Sequence, residues 1–241
     1  MSNSISVKDY GDGVFRLRGV YSEKEFNDIF KSVKEGTDER SFLNLLYGKV
    51  LPSLFEFNPD IKNMLVNEKL INCIKKILNF KENELTITKH SDYHINTLGG
   101  WHKDLGQGSY SSYENAVKSK IYKYGLIKQS SEKKVNLATQ FFINGKVVVP
   151  EIVDGDIILF PTYILHRGYP GNLFISNLRR IFSRIISYKR LNLIINKLNE
   201  FSKQKDREAI FFTFGKDSEM LEDFERANLQ RAKKQFAENE N

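Results

Sequence analysis

A histidine and an aspartate one residue apart, His102 and Asp104, are the pair in this chain best placed to do chemistry. They follow a glycine pair and the single tryptophan in Gly99-Gly100-Trp101-His102-Lys103-Asp104. Alternate residues of an extended strand point to one face, so the imidazole and the carboxylate can aim at a common point. Together they are two-thirds of a facial metal triad, the ligand set that suits Fe(II) and leaves coordination positions open. Spacing alone is weak evidence. With four histidines and twelve aspartates in 241 residues, chance supplies a His-x-Asp in about one such chain in five.

A third ligand is offered downstream. Asp154-Gly155-Asp156 makes a turn that delivers an apolar strand, Ile157-Ile158-Leu159-Phe160, and this runs through Pro161 to His166. His166 therefore ends a buried strand where a loop begins, a usual position for a ligand on a rigid scaffold. Beyond it, Asn177-Leu178-Arg179-Arg180-Ile181-Phe182-Ser183-Arg184 opens another strand with a basic cluster. An arginine entering a barrel interior is costly unless it meets a carboxylate, and the guanidinium fork grips one with two hydrogen bonds. Neighbours on a strand face opposite sides, so one of Arg179 and Arg180 points outward.

The elements that must position these residues change character along the chain. Gly13 to Val20 alternates as a first strand, and Ser22 with Glu25 has capping-box spacing for a helix running to about Gly36. Further helices are predicted over Arg40–Leu51, from Pro59, and over Lys69–Leu78. From Leu85 strands take over: 85–90, which 93–96 either continues or turns toward the glycine pair, then 121–127, 135–143, 146–149, 156–160, 181–188 and 209–214. Asn144-Gly145 marks a hairpin. Gln107 to Tyr113, rich in Gly, Ser and Tyr, reads as a loop over the His-x-Asp stretch. An amphipathic helix over 190–201 and a charged helix over 218–238 complete the pattern. Helices followed by many short strands predict an α+β protein whose β part is a sandwich or barrel.

Composition narrows the function classes. Hydrophobic residues make up 40% of the chain, with 18 Phe and 11 Tyr, enough for a sizeable core. The net charge of +7 is dispersed rather than gathered, which argues against nucleic acid and is compatible with small anionic ligands. Cys73 is the single cysteine, so no internal disulfide forms and a reducing, cytoplasmic location is expected. No apolar run reaches the ~18 residues of a membrane span.

With these residues in view, the chain resembles the phytanoyl-CoA dioxygenase-like group of Fe(II)/2-oxoglutarate oxygenases. The likeness is carried by His102-x-Asp104, the Gly-Asp strand ending at His166 and a downstream arginine. Asp12 to Val20 followed by Ser22-x-x-Glu25 is similar to that family's entry strand and first helix. Ile121-Tyr-Lys-Tyr-Gly-Leu126 resembles the strand after the ligand pair. Arg207-Glu-Ala-Ile-Phe-Phe-Thr-Phe-Gly215, with Arg226-Ala227 and Arg231-Ala232, is similar to its C-terminal section.

The resemblance implies a double-stranded β-helix (jelly roll) inside a single domain over 1–241. A helical part over about 1–82 packs on a jelly roll over 83–216, followed by a C-terminal helix over 218–238. It implies an enzyme using Fe(II), 2-oxoglutarate and O2, with His102, Asp104 and His166 on the metal. Arg179 holds the distal carboxylate of 2-oxoglutarate; it is preferred to Arg180 because the family arginine is often followed directly by a second basic residue. Asn96 and Tyr93 contact the cosubstrate. The reaction implied is hydroxylation of an unactivated C–H bond in a small molecule or carbohydrate-type metabolite. The carboxylate at Asp104 favours hydroxylation over halogenation. The 128–150 segment is short and lacks the family's Pro-Gly-Ser-His element, and the interval from His166 to Arg179 is long. A catalytically silent jelly-roll binding domain and a cupin-type enzyme using Mn or Ni are the rival classes; oligomeric state is left open.

Overall fold

The computed structural model describes residues 4–37, 42–45, 48–97, 100–105, 113–129, 139–168, 207–216 and 218–239. The strand expected over 181–188 and the helix over 190–201 lie outside them. Chain order is β1 (Ser6–Asp9), β2 (Phe15–Arg18), α1 (Glu23–Glu35), β3 (Leu43–Leu45), β4 (Gly48–Pro52), α2 (Leu54–Phe57), α3 (Pro59–Leu65), α4 (Glu68–Leu78) and β5 (Leu85–Ile95). There follow α5 (Tyr113–Ser119), β6 (Tyr122–Gln129), β7 (Gln140–Ile143), β8 (Lys146–Val148), β9 (Ile157–Pro161), β10 (His166–Arg167), β11 (Arg207–Lys216) and α6 (Glu219–Asn239).

Among the described residues two antiparallel sheets carry the architecture, an eight-stranded one in the order β1-β2-β9-β6-β11-β5-β4-β3 and a three-stranded one in the order β10-β7-β8. With the helices this is an α+β fold of the jelly-roll kind. The central strands of the large sheet are apolar on both faces, because each face meets a different layer. Leu17, Tyr124, Leu126, Ile157, Leu159, Ile210, Phe212 and Phe214 pack against α1, α3 and α4 through Phe26, Phe30, Ile61 and Leu70. The intervening residues Ile127, Ile158, Phe160, Ala209 and Phe211 pack against Phe141 and Ile143 of the small sheet. The space between the sheets is thus a second core, and it is where inward-facing polar residues gather.

Local chemistry explains most of the elements. Ser22 and Glu25 form the expected reciprocal cap of α1, Glu25 N donating to Ser22 Oγ and Ser22 N to Glu25 Oε2. Asn144 (φ 48°) and Gly145 (φ 76°) close the β7–β8 hairpin with two left-handed residues, as its turn type requires. One expectation is corrected. The helix predicted over Arg40–Leu51 is replaced by β3 and β4, which extend the large sheet beside β5. The leucine and valine spacing of that stretch fits a helix face, but pairing with β5 outweighs local pattern. A helical first third is therefore interrupted by strands that belong to the sheet.

Phe212 lies at the centre of the helix-side core, fully buried, with its ring stacked 4.2 Å from Tyr124 and tilted against Phe55. Phe212→Ala is expected to destabilise the protein by about 3–5 kcal/mol. Phe142→Ala, at a ring 42% exposed on the small sheet, should cost no more than about 0.5 kcal/mol. Urea unfolding of both variants checks the contrast.

Candidate metal centre

The small sheet gains a further partner through backbone pairing of His102 with His166, each N–H donating to the other's carbonyl at 2.9 Å. Asp104 N donates to Thr162 O at 2.8 Å, so the chain between His102 and Asp104 is tied to both ends of the 162–166 turn. His166 pairs on its other side with Phe141 of β7. Residues 64 positions apart in sequence are thereby held side by side on one sheet. Arg167, the next residue, points the other way and lies over the Trp101 ring, 4.6 Å from its centroid.

The structure brings His102, Asp104 and His166 together, with one ligand atom of each within 4.8 Å of the others. His102 Nε2 is 3.6 Å from Asp104 Oδ1, and His166 Nε2 is 3.5 Å from Asp104 Oδ2. Bonds of about 2.0–2.1 Å to one ion would put neighbouring donors roughly 3 Å apart, so small side-chain movements close the set. The other ring nitrogens settle the tautomers. His102 Nδ1 lies 2.7 Å from Gly100 O and His166 Nδ1 3.0 Å from Ile164 O. A carbonyl can only accept, so each Nδ1 carries a proton and each Nε2 is the atom turned to the shared centre.

The electrostatics keep the set ready for a cation. Burial pushes His166 down to about 4, with His102 and Lys123 acting in the same direction against Asp104, so its ring is neutral at neutral pH. Burial alone would raise the Asp104 carboxyl, but Lys123, His166 and His102 outweigh it and hold it below the usual carboxylate range. Phe160 and Phe141 wall His166, with ring centroids at 4.8 and 6.2 Å. His102 has a side chain 47% exposed and forms the open side.

Three inward-facing features were not placed at the site from the sequence, where His90 and His94 are not needed as ligands. Lys123 of β6, on the face opposite Tyr124 and Leu126, places Nζ 2.8 Å from Asp104 Oδ2. Arg207 begins β11 on the face of Ala209 and Phe211; it is 5% exposed, burial pushes it down to about 10, and its guanidinium donates to Thr139 Oγ1 at 3.4 Å. On β5, His90, Asp92 and His94 form an inward file, with Asp92 Oδ2 3.4 Å from His90 Nε2 and 3.9 Å from His94 Nε2. His94 Nε2 is buried with no hydrogen-bond partner. Strand parity is the signal that could have found them, but strands apolar on both faces do not say which parity looks inward.

The remaining expected contacts fall as follows. Arg179 and Arg180 lie outside the described residues. Tyr93 is corrected: it faces the helices, packed on Phe30 and Phe42 with its hydroxyl on Glu208, on the opposite side of β5 from the triad. Asn96 sits at the end of the β5–β11 ladder in a left-handed conformation (φ 55°). Its N–H donates to Arg207 O at 2.8 Å and its Oδ1 accepts from Arg207 N at 2.9 Å. It therefore anchors the backbone of the inward arginine.

Comparison with protein-family models finds no match, and neither does comparison with curated proteins. Solved structures share the fold. EctD from S. alaskensis with bound Fe aligns with a TM-score of 0.53 at 13% identity, over 85% of this chain and 73% of that one. HygX from Streptomyces hygroscopicus with nickel and 2-oxoglutarate bound gives 0.52 at 10% identity, over 85% and 83%. HygX is also known with hygromycin B bound. SnoN, a non-heme alpha ketoglutarate dependent epimerase from nogalamycin biosynthesis, gives 0.54 at 7% identity, over 84% and 77%. The likeness to Fe/2-oxoglutarate oxygenases expected from the sequence is borne out at the level of the fold.

Proposed function

We propose that this chain is an Fe(II)- and 2-oxoglutarate-dependent oxygenase with His102, Asp104 and His166 as its metal ligands. The observation that carries the reading is the pair of imidazoles whose Nδ1 atoms are spent on backbone carbonyls, leaving both Nε2 atoms facing one carboxylate. Two nitrogens and one oxygen on one side are the donor set for non-heme Fe(II) with open positions. The strand orders β9-β6-β11-β5 and His102-β10-β7-β8 support reading the β part as a double-stranded β-helix within a single domain. No helix among the described residues is long and apolar enough to cross a membrane, and the cytoplasmic location rests on the lone cysteine.

Arg207 is the residue we assign to the distal carboxylate of 2-oxoglutarate, in preference to Arg179. It is a buried guanidinium on the inner face of the strand between β5 and β6, with the Thr139 hydroxyl beside it. A carboxylate received there gains a charge-assisted fork and is removed from water. When bound, iron and 2-oxoglutarate draw oxidising power from O2 to attack a substrate C–H bond, and that chemistry is the cofactor's own. The protein's part is to present two imidazole Nε2 atoms and one carboxylate, to orient the cosubstrate through Arg207, and to shield His166 behind Phe141 and Phe160. Asp104 retains its carboxylate, which favours hydroxylation, and a small molecule or carbohydrate-type metabolite is the substrate class.

Succinate release tests this reading. Aerobic protein supplied with Fe(II) and 2-oxoglutarate is expected to form succinate above the protein-free rate, and metabolite fractions containing the substrate should raise it further. Absence of succinate with Fe(II) in excess would sink the proposal.

A further inference from the structure

Lys123 lies in the wall of the triad, against Asp104. It projects from β6 into the space between the sheets, where its strand neighbours on the same face are Gly125 and Ile127. The lack of a side chain at Gly125 makes room for the Phe211 ring: a Cβ there would lie 2.8 Å from Phe211 Cε1. The ammonium rests over that ring, 5.3 Å from its centroid, and meets Asp104 Oδ2 at 2.8 Å with the lysine side chain only 12% exposed. A lysine stem held on an aromatic face and a head group buried against the carboxylate make a built cation position.

In this arrangement Lys123 and Asp104 neutralise each other. The account changes when Asp104 serves a divalent ion, because the ion's own charge then dominates the local field. Metal, Asp104 and the chelating carboxylate of a 2-oxo acid cancel one another, and the distal carboxylate is matched by Arg207. Of the other buried carboxylates, Asp156 is held by Arg18 through two hydrogen bonds, and Asp92 is flanked by His90 and His94. The Lys123 ammonium remains as one positive charge, mostly buried beside a cation, and a buried charge in that position is costly without an anion of its own.

We infer that Lys123 selects an anionic primary substrate, pairing with a carboxylate or phosphate group that the substrate brings beside the metal. This inference rests on the function proposed above and adds to it a substrate class. The dispersed net charge of +7 acts in the same sense by drawing anions toward the molecule.

The test uses the intact protein loaded with Mn(II) and saturated with 2-oxoglutarate, with acetate, inorganic phosphate and acetamide as probes. Mn(II) shortens the nuclear relaxation times of any probe held close to it, read at the methyl protons of acetate and acetamide and at phosphorus for phosphate. Acetate or phosphate is expected to bind at least about tenfold more tightly than neutral acetamide, the scale of one charge-assisted hydrogen bond. Whichever anion is preferred names the group on the substrate. Lys123→Met should abolish that preference and Lys123→Arg should keep it, while 2-oxoglutarate affinity in Lys123→Met stays within about threefold of the original. Equal effects from acetate and acetamide on the unaltered protein overturn the inference whether or not the variants fold. So does a preference that survives in Lys123→Met, or a loss of 2-oxoglutarate affinity there of about tenfold or more, which would assign the lysine to the cosubstrate. Failure of the unaltered protein to bind Mn(II) and 2-oxoglutarate together is a different result, and it removes the proposed function itself.

Discussion

Alanine at His102, Asp104 or His166 is expected to abolish iron-dependent succinate formation. Fe(II) affinity should fall by more than the 10- to 100-fold typical of losing a supporting hydrogen bond, since each variant loses a ligand outright. Their stabilities should differ in a way set by surroundings. His102 has a side chain 47% exposed, so its loss should be close to neutral for the metal-free fold. His166 is buried among Phe141 and Phe160, and truncation there leaves a cavity. Asp104→Ala leaves the Lys123 ammonium without its carboxylate in a mostly buried position, a loss on the order of 3–5 kcal/mol. Metal-free thermal unfolding should therefore rank His102→Ala as the most stable and Asp104→Ala as the least. Near-normal turnover in any one variant removes that residue from the site.

Arg207→Ala should weaken 2-oxoglutarate binding by about ten- to a hundredfold, the equivalent of one charge-assisted fork at 1.5–3 kcal/mol. Fe(II) affinity should change little, because a guanidinium offers no lone pair to a metal and the three donors of the triad are untouched. Arg207→Lys should restore only part of the affinity, since an ammonium cannot present two parallel donors. Arg179→Ala and Arg180→Ala should leave the 2-oxoglutarate constant almost unchanged. A large effect at Arg179 with none at Arg207 would return the carboxylate clamp to the basic cluster read in the sequence. Titration of 2-oxoglutarate into Mn(II)-loaded protein, followed by calorimetry, gives all four constants without turnover.

The three residues of the triad were legible in the sequence because their signals are local. A His-x-Asp pair and a histidine ending an apolar strand can each be read from a few neighbours. The same holds for the Ser22–Glu25 cap, the Asn144-Gly145 turn and the strand over 85–90. What joins the ligands is not local: the His102–His166 pairing follows from strand order and has no mark in either segment. The stretch 40–51 was misread as a helix for the same reason, since its apolar spacing fits one and only pairing of 48–52 with β5, and of 43–45 with 48–50, makes these residues strands. Arg207 and Lys123 were missed because β6 and β11 are buried on both faces. In Arg207-Glu-Ala-Ile-Phe-Phe-Thr-Phe-Gly215 no alternation distinguishes the inner face from the outer, and an inward arginine looks like a strand-end surface charge. Tyr93 shows the converse error, a polar-tipped residue near the right strand but on the wrong parity.

The central claim is that the triad and the interior arginine together hold Fe(II) and 2-oxoglutarate. Anaerobic titration of the metal-free protein with Fe(II) and then 2-oxoglutarate, followed in the visible spectrum, tests it most directly. A weak charge-transfer band should appear only when both are present, saturate at one equivalent of each, and be lost in His166→Ala. A protein that binds Fe(II) with no band on adding 2-oxoglutarate, or that binds neither, would contradict the account and leave a silent jelly roll or a differently metallated cupin-type protein in its place.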